Sequence, residues 1–412
     1  MIDLVKIGFI IVAIIVLIRV KVPLSITLIA SAVVLGFLFH LPVAAMRDAI
    51  WRAVLDAEAL KLVIALELVL LFSAIMKERG SMTRAISALS QVFRDARVTV
   101  AIIPAVIGLL PVVGGAMLSA PLVAEASDDL TLSPERRTFL NFWFRHVWEY
   151  TLPTFPAVFL TAGIVGIPIA DLVLVNLPLT AASILAGVVF GFKGVRPFKS
   201  AHAPLTPGGM GKSLLSFVWN LLPFFLVILL TLCFDIHLVY SLALVTAGTV
   251  LLYRIPPALL GPLVRKNVSL ELAFLIWGIM LFKEMLTASS AMHSIASELS
   301  RMGMPTAVLV ALIPAVIAFI TGYTTAFVGL SFPVLLPLLP TDGSSAYYVM
   351  LALASGIGAH MLSPMHACYV MTLEYYQAGM GKTYRLLLAP ALLTFFTGVA
   401  VFLAATWLAG GW

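Results

Sequence analysis

Apolar positions fall in long runs, with polar residues gathered in short stretches between them. IGFIIVAIIVLI (7–18), LKLVIALELVLLFSAIM (60–76) and LLPFFLVILLTLCF (221–234) are long enough to span a bilayer or much of one. Runs of this kind predict spans at about 3–19, 23–40, 60–76, 138–166, 168–192, 213–234, 236–253, 268–284, 346–378 and 386–410. Two further apolar segments, 98–124 and 304–340, are interrupted by Pro, Gly and Thr. In the first, GLLPVVGGAMLSAP (108–121) puts prolines and a double glycine, the weakest helix formers, where an unpaired amide is costly. Irregular backbone is tolerated at membrane depth where it lines a cavity. Both segments are therefore expected to be re-entrant hairpins, with tips at PVVGGA (111–116) and TGYTTA (321–326). A glycine-mediated helix packing face explains Gly114 and Gly115, but not Pro111 or the recurrence of the break. Segments 81–97 and 285–301, just ahead of the two hairpins, carry the mixed pattern of interfacial amphipathic helices. Spans 138–166 and 346–378 exceed the ~20 residues a bilayer needs. Each holds a central proline, Pro153 or Pro364, flanked by Thr or Ser, and a helix unwound there would face a hairpin tip.

The two halves are similar. VTVAIIPAVI (98–107) matches VLVALIPAVI (308–317) at eight of ten positions. LELVL (66–70) pairs with LELAF (270–274), SAPLV (119–123) with SFPVL (331–335), and EYTLPTFPA (149–157) with HMLSPMHAC (360–368). An ordered series of this kind reads as a duplication, with a first unit at 1–192, a cytoplasmic linker at 193–212 and a second unit at 213–412. Counting spans, the second unit starts on the opposite side from the first. The expected fold is an all-α polytopic membrane protein, an inverted repeat of five spans and one re-entrant hairpin each. Inverted repeats with matching broken segments point to a secondary transporter's central site.

Composition agrees. Of 412 residues 62% are hydrophobic and 11% charged, with a mean hydropathy of +1.10, against about 25% charged in soluble proteins. The first run opens with Asp3 and lacks a small-residue cleavage site, which speaks against a cleaved signal peptide. The net charge of +6 is a matter of sidedness rather than of nucleic-acid binding. The loops at 19–21, 77–97, 125–137, 193–212, 254–267 and 382–385 carry 18 of the 25 Lys and Arg, which marks them as cytoplasmic. Both termini then lie on the non-cytoplasmic side of the cell inner membrane. A hairpin at only one of the two interrupted segments would dissolve this bias. The two cysteines, Cys233 and Cys368, offer no disulfide framework and no CxxC metal site, so no metal and no cofactor is expected beyond a coupling Na+ or H+.

Arg145, His146 and Glu149 lie in NFWFRHVWEYTLP, well past the basic pair Arg136–Arg137. Intramembrane charges are functional candidates, although Arg145 and Glu149, four apart, could neutralise one another on one helix face. The repeat pairs Glu149 with His360, a carboxylate and an imidazole that could carry a proton on either side of a site. Glu67 and Glu271 also correspond, outside the broken segments, and read as structural. GMGKS (209–213) and GMGKT (379–383) lack the earlier glycine and preceding strand of a phosphate-binding loop. No HExxH or GxSxG motif occurs, so an enzyme is not expected.

The stretches GLLPVVGGAMLSAPLV, ITGYTTAFVGLSFPVLLPLL and GAHMLSPMHACYVMT resemble the tips and broken span of the ion transporter superfamily. That group includes gluconate permeases, divalent-anion/sodium symporters and arsenite permeases. Within it the chain most resembles an uncharacterised prokaryotic integral membrane family, over nearly its whole length. The resemblance implies scaffold and transport regions, a homodimer, elevator-type alternating access, and a site between the tips. The Ser-Asn-Thr tip that binds sodium in many symporters is replaced here by PVVGGA and TGYTTA. The expected function is a secondary active transporter of a small organic anion, a carboxylate, coupled to protons or sodium. A passive channel or pore, an inorganic-ion exporter or antiporter, and a membrane assembly component are the alternatives. The expected anion contacts are Pro111, Val113, Gly114, Gly115, Ala116, Thr151, Thr154, Thr321, Gly322, Thr324, Thr325, Ser363 and His366. Glu149, His360 and Arg145 are the expected coupling residues.

Overall fold

Backbone amides deprived of water must pair within their own segment, and every regular element here is helical or a short helical turn. The structure, a computed structural model, describes residues 2–93, 95–111, 115–197, 209–289, 298 and 303–408. The first half runs α1 (Ile2–Arg19), α2 (Leu24–Leu38), α3 (Val43–Leu55), α4 (Ala57–Glu78), α5 (Ser81–Val92), α6 (Ala96–Ile107) and α7 (Gly115–Ala126). It continues with α8 (Pro134–His146), α9 (Pro156–Val165) and α10 (Ile169–Gly191). The second half runs α11 (Gly209–Leu232), α12 (Leu238–Leu252), α13 (Pro257–Asn267), α14 (Leu270–Ala288) and α15 (Thr306–Thr321). It ends with α16 (Thr324–Leu335), α17 (Ser345–Met361), α18 (Ala367–Tyr376) and α19 (Met380–Leu408).

By length and composition α4, α10, α11 and α19 can each cross a membrane, and the chain is a multi-pass membrane protein. Its outside is as greasy as its core. In α1, Val5, Phe9, Val12 and Val16 form an exposed stripe, while Ile7, Ile10 and Ile14 are buried.

Two helices were not expected. α3 and α13 occupy stretches that carry too many charges and prolines for spans and that read as loops; α13 buries none of its residues. The amphipathic segment ahead of the first interruption is α5. Its counterpart at 285–301 lies mostly outside the described residues, as does 198–208 of the linker. α11 starts at Gly209, so GMGKS is a helix's first turn, and GMGKT opens α19 in the same way.

The interrupted segments are pairs of short helices, α6 with α7 and α15 with α16, each pair packed side by side. The two overlong spans are also pairs, with α8 and α9 separated by 147–155, and α17 and α18 by 362–366. At ~1.5 Å per residue, the 12 residues of α6 or α7 reach only ~18 Å, short of a ~30 Å hydrocarbon core. Packing is crosswise: α7 lies on α18, and α16 lies on α9.

Carbonyls freed by the breaks need donors, and the last helix of each half supplies one. Asn176 Nδ2 of α10 donates to Tyr150 O at 2.9 Å, and Tyr384 Oη of α19 donates to Leu362 O at 3.0 Å. Trp148 Nε1 ties the first break to α6 through Ala105 O at 2.8 Å. Ser363 Oγ ties the second to α15 through Phe319 O at 2.6 Å. Away from the breaks α2 packs on α14 and α12 on α4. The Glu67 carboxylate accepts from Ser269 N at the head of α14 at 3.1 and 3.2 Å, a structural link between halves.

Candidate functional site

The short helices meet around one cavity of about 130 Å³. Its walls are Pro111, Arg145, His146 and Glu149 from the first half with Phe155 and Pro156, and Gly322–Thr325, His360 and His366–Cys368 from the second. At ~30 Å³ per water, it holds a ligand of a few heavy atoms.

Arg145 is buried in the last turn of α8, where the helix's carbonyl end favours a cation. Nη2 lies 3.5 Å from Leu110 O and Nη1 lies 3.6 Å from Cys368 Sγ. The guanidinium rests against Gly115, the first residue of α7, so closely that a Cβ there would collide with Nη2. A side chain at Gly115 would require the guanidinium to shift. A Cβ on Gly108 would likewise strike the Arg145 carbonyl. Because α8 stops at His146, Glu149 sits in the unwound turn. Arg145 and Glu149 line the same cavity and interact electrostatically, from a helix end and the unwound turn rather than from one helix face. Glu149 Oε2 is buried without a hydrogen-bond partner among the described residues.

The N-termini of α9, α16 and α18 line this space. The cap residues Phe155, Tyr323 and His366 leave the amides of α9, α16 and α18 without a side-chain acceptor. Each such end carries roughly half a positive charge. With the Arg145 guanidinium they give one part of the lining donors suited to an anionic group, beside the Glu149 carboxyl.

The second tip is set by Gly322, at φ +63°, a left-handed conformation that favours glycine. A Cβ there would sit 2.6 Å from Met365 C and 2.7 Å from His366 N, so tip and break touch backbone to backbone. Thr324 Oγ1 meets His360 Nε2 at 3.2 Å, while His360 Nδ1 and Thr325 Oγ1 are buried without partners among the described residues. His360 and His366 stack at 3.9 Å between centroids.

Of the residues singled out from sequence, Pro111, Arg145, Glu149, Gly322, Thr324, Thr325, His360 and His366 share this cavity. Val113 and Gly114 lie outside the described residues. Ala116 is buried behind the tip, its carbonyl accepting from Asn141 Nδ2 at 3.1 Å. Thr151 is tied to Thr180 at 2.9 Å, and Thr321 turns back to Ile317 O at 2.8 Å. Thr154 is buried off the cavity, and Ser363 spends its hydroxyl on Phe319. Sequence reasoning did not name His146, Tyr323 or Cys368 as contact or coupling residues, although Tyr323 lay within the expected tip TGYTTA. His146 was visible as the neighbour of Arg145; Cys368 carried no signal beyond following His366 by two. One ring nitrogen each of His146 and His366 lies within 4.8 Å of the other and of Cys368 Sγ.

The YdaH transporter of Alcanivorax borkumensis, whose crystal structure reveals an unusual topology, has a similar fold. Its TM-score is 0.65 at 15% identity, over 94% of this chain and 97% of that one. At this identity the likeness is one of fold. No curated protein matches the chain in sequence. A family model covers it almost end to end, over residues 4–405, and the chain belongs to that family, described as "Protein of unknown function (DUF401)".

Proposed function

We propose that the protein is a secondary active transporter of a small organic anion, a carboxylate, driven by protons or sodium. The observation that carries this reading is the convergence of Arg145 and three helix N-termini on one small cavity. These donors suit a carboxylate, and the 130 Å³ volume suits an acid of a few carbons. Glu149 and His360 line the same space and are the proton carriers in this reading. Sodium, if it is the coupling ion, would take oxygen ligands from hydroxyls and tip carbonyls.

The recurrence of element order in the two halves, with their crosswise packing, supports an inverted repeat whose interrupted segments are re-entrant. The fold shared with the YdaH transporter supports transport as the activity. On this reading the basic loops face the cytoplasm, the termini face away from it, and the chain works as a homodimer in the inner membrane. The site moves by an elevator-type displacement.

Uptake into proteoliposomes of mono-, di- and hydroxycarboxylates, under separately imposed proton and sodium gradients, tests the proposal. Gradient-driven uptake of one acid, lost in a folded Glu149→Gln variant, supports a symporter coupled through that carboxylate. Flux that neither saturates nor follows a gradient indicates a pore. The absence of flux for every acid removes the carboxylate reading and directs attention to inorganic ions.

A further inference from the structure

We propose that the cavity wall carries a binding site for a zinc-class cation, with His146 Nε2, His366 Nε2 and Cys368 Sγ as its ligands. The proposal shares its cavity with the transport reading but rests on a different donor set. His146 Nδ1 lies 2.6 Å from Phe142 O, and His366 Nδ1 lies 3.2 Å from His360 O. A carbonyl only accepts, so each Nδ1 carries the proton and each Nε2 presents a lone pair. This carbonyl–imidazole arrangement is how metal-binding histidines are held in the ligating tautomer. Neither Nε2 makes a hydrogen bond among the described residues, and both rings line the cavity.

The third donor is Cys368 Sγ, which lines the same cavity as the two rings and lies 3.6 Å from Arg145 Nη1; the thiol gives up its proton when it binds the metal. One ring nitrogen of each histidine and Cys368 Sγ lie within 4.8 Å of one another. Bonds of about 2.0 Å to nitrogen and 2.3 Å to sulfur put tetrahedral donors about 3.3–3.8 Å apart. Binding therefore draws the ligands together by about 1 Å. Three protein ligands leave the fourth position open, and here it faces the cavity, where water or an anion completes the shell. Two imidazoles and a thiolate favour zinc over magnesium or calcium, which prefer oxygen.

Titration of the purified protein in nanodiscs with Co2+, in the absence of any gradient or organic acid, tests the site. One ion per chain is expected, giving thiolate-to-cobalt charge-transfer absorption and the intense visible bands of four-coordinate cobalt, both abolished by Zn2+. Cys368→Ser should remove the charge-transfer band, and His146→Gln or His366→Gln should weaken binding about 10-fold or more. Cys233→Ser, which alters the exposed cysteine remote from the cavity, should change neither. Thermal unfolding of each variant separates ligand loss from misfolding. A folded wild type without the band, or a band that survives Cys368→Ser, overturns the proposal. Cobalt binding with the band in a protein that moves no acid leaves the metal site standing and removes the transport reading; acid uptake without the band does the reverse.

Discussion

At the scale of single residues, the site depends on where a charge can be tolerated and where a Cβ cannot. Arg145 is held by a helix C-terminus, a carbonyl and a sulfur, with its flat guanidinium against Gly115. Lysine keeps the charge but loses the planar fork. Arg145→Lys is therefore expected to fold, yet to lose about 2 kcal/mol or more of anion stabilisation, or about 30-fold in kcat/KM for uptake. Full uptake in that variant would remove Arg145 from the binding surface. Gly322 is constrained twice, by its positive φ and by the backbone of Met365 and His366. Gly322→Ala should destabilise by more than the ~1 kcal/mol of an ordinary unfavourable glycine replacement, read as a lower unfolding temperature in detergent. Proline and glycine patterns pointed to this region because each announces a broken helix locally. Cys368 was not legible, since Arg145, which lies beside it, is more than two hundred positions away in the chain. The Arg145–Glu149 spacing was legible, but not that the helix ends between the two.

At the scale of elements, helix starts decide the architecture. α6 begins at Asp95, whose carboxylate accepts from Arg97 N at 3.0 Å and pairs with the Arg97 guanidinium at 2.7 Å. The Arg97 hydrogen bond first, then the backbone amide and charge, hold the Asp95 carboxyl below its usual range against a smaller effect of burial. A depressed pKa stabilises the fold above the ordinary aspartate value of ~3.9, and that contribution is lost as pH falls through the folded value below it. Asp95→Ala should cost about 1 kcal/mol at neutral pH. The difference in unfolding temperature from wild type should shrink near pH 3, and an undiminished gap there would argue against the carboxylate as the cause. Long apolar elements were legible because composition alone specifies them in lipid. The short α3 and α13 were not, because mixed polarity describes a surface loop as well as a helix lying on one.

At the scale of the whole molecule, the proposed elevator motion would make a frame of α2 on α14 and α4 on α12, against which the helices around the cavity move. Two sites measure whether these parts move relative to one another. A Cβ at Gly278 of α14 would lie 3.1 Å from Leu28 Cβ, inside the frame. One at Gly163 of α9 would lie 2.7 Å from Leu62 Cδ2 of α4, across the division. Bridging Leu28→Cys with Gly278→Cys should leave uptake intact, whereas bridging Leu62→Cys with Gly163→Cys should stop it until the link is reduced. Uptake that persists with both links in place would exclude an elevator displacement. The hydrogen bonds from Asn176 and Tyr384 to the broken segments have a consequence for the surrounding lipid. They bind α10 and α19 to the cavity, and these helices present Leu174, Leu177, Leu185, Leu388, Phe396 and Leu403 outward. Any journey of the bound solute would then drag a greasy flank through the acyl chains. Friction in the bilayer becomes part of the turnover time, and stiffer or thicker membranes should slow transport while leaving affinity unchanged.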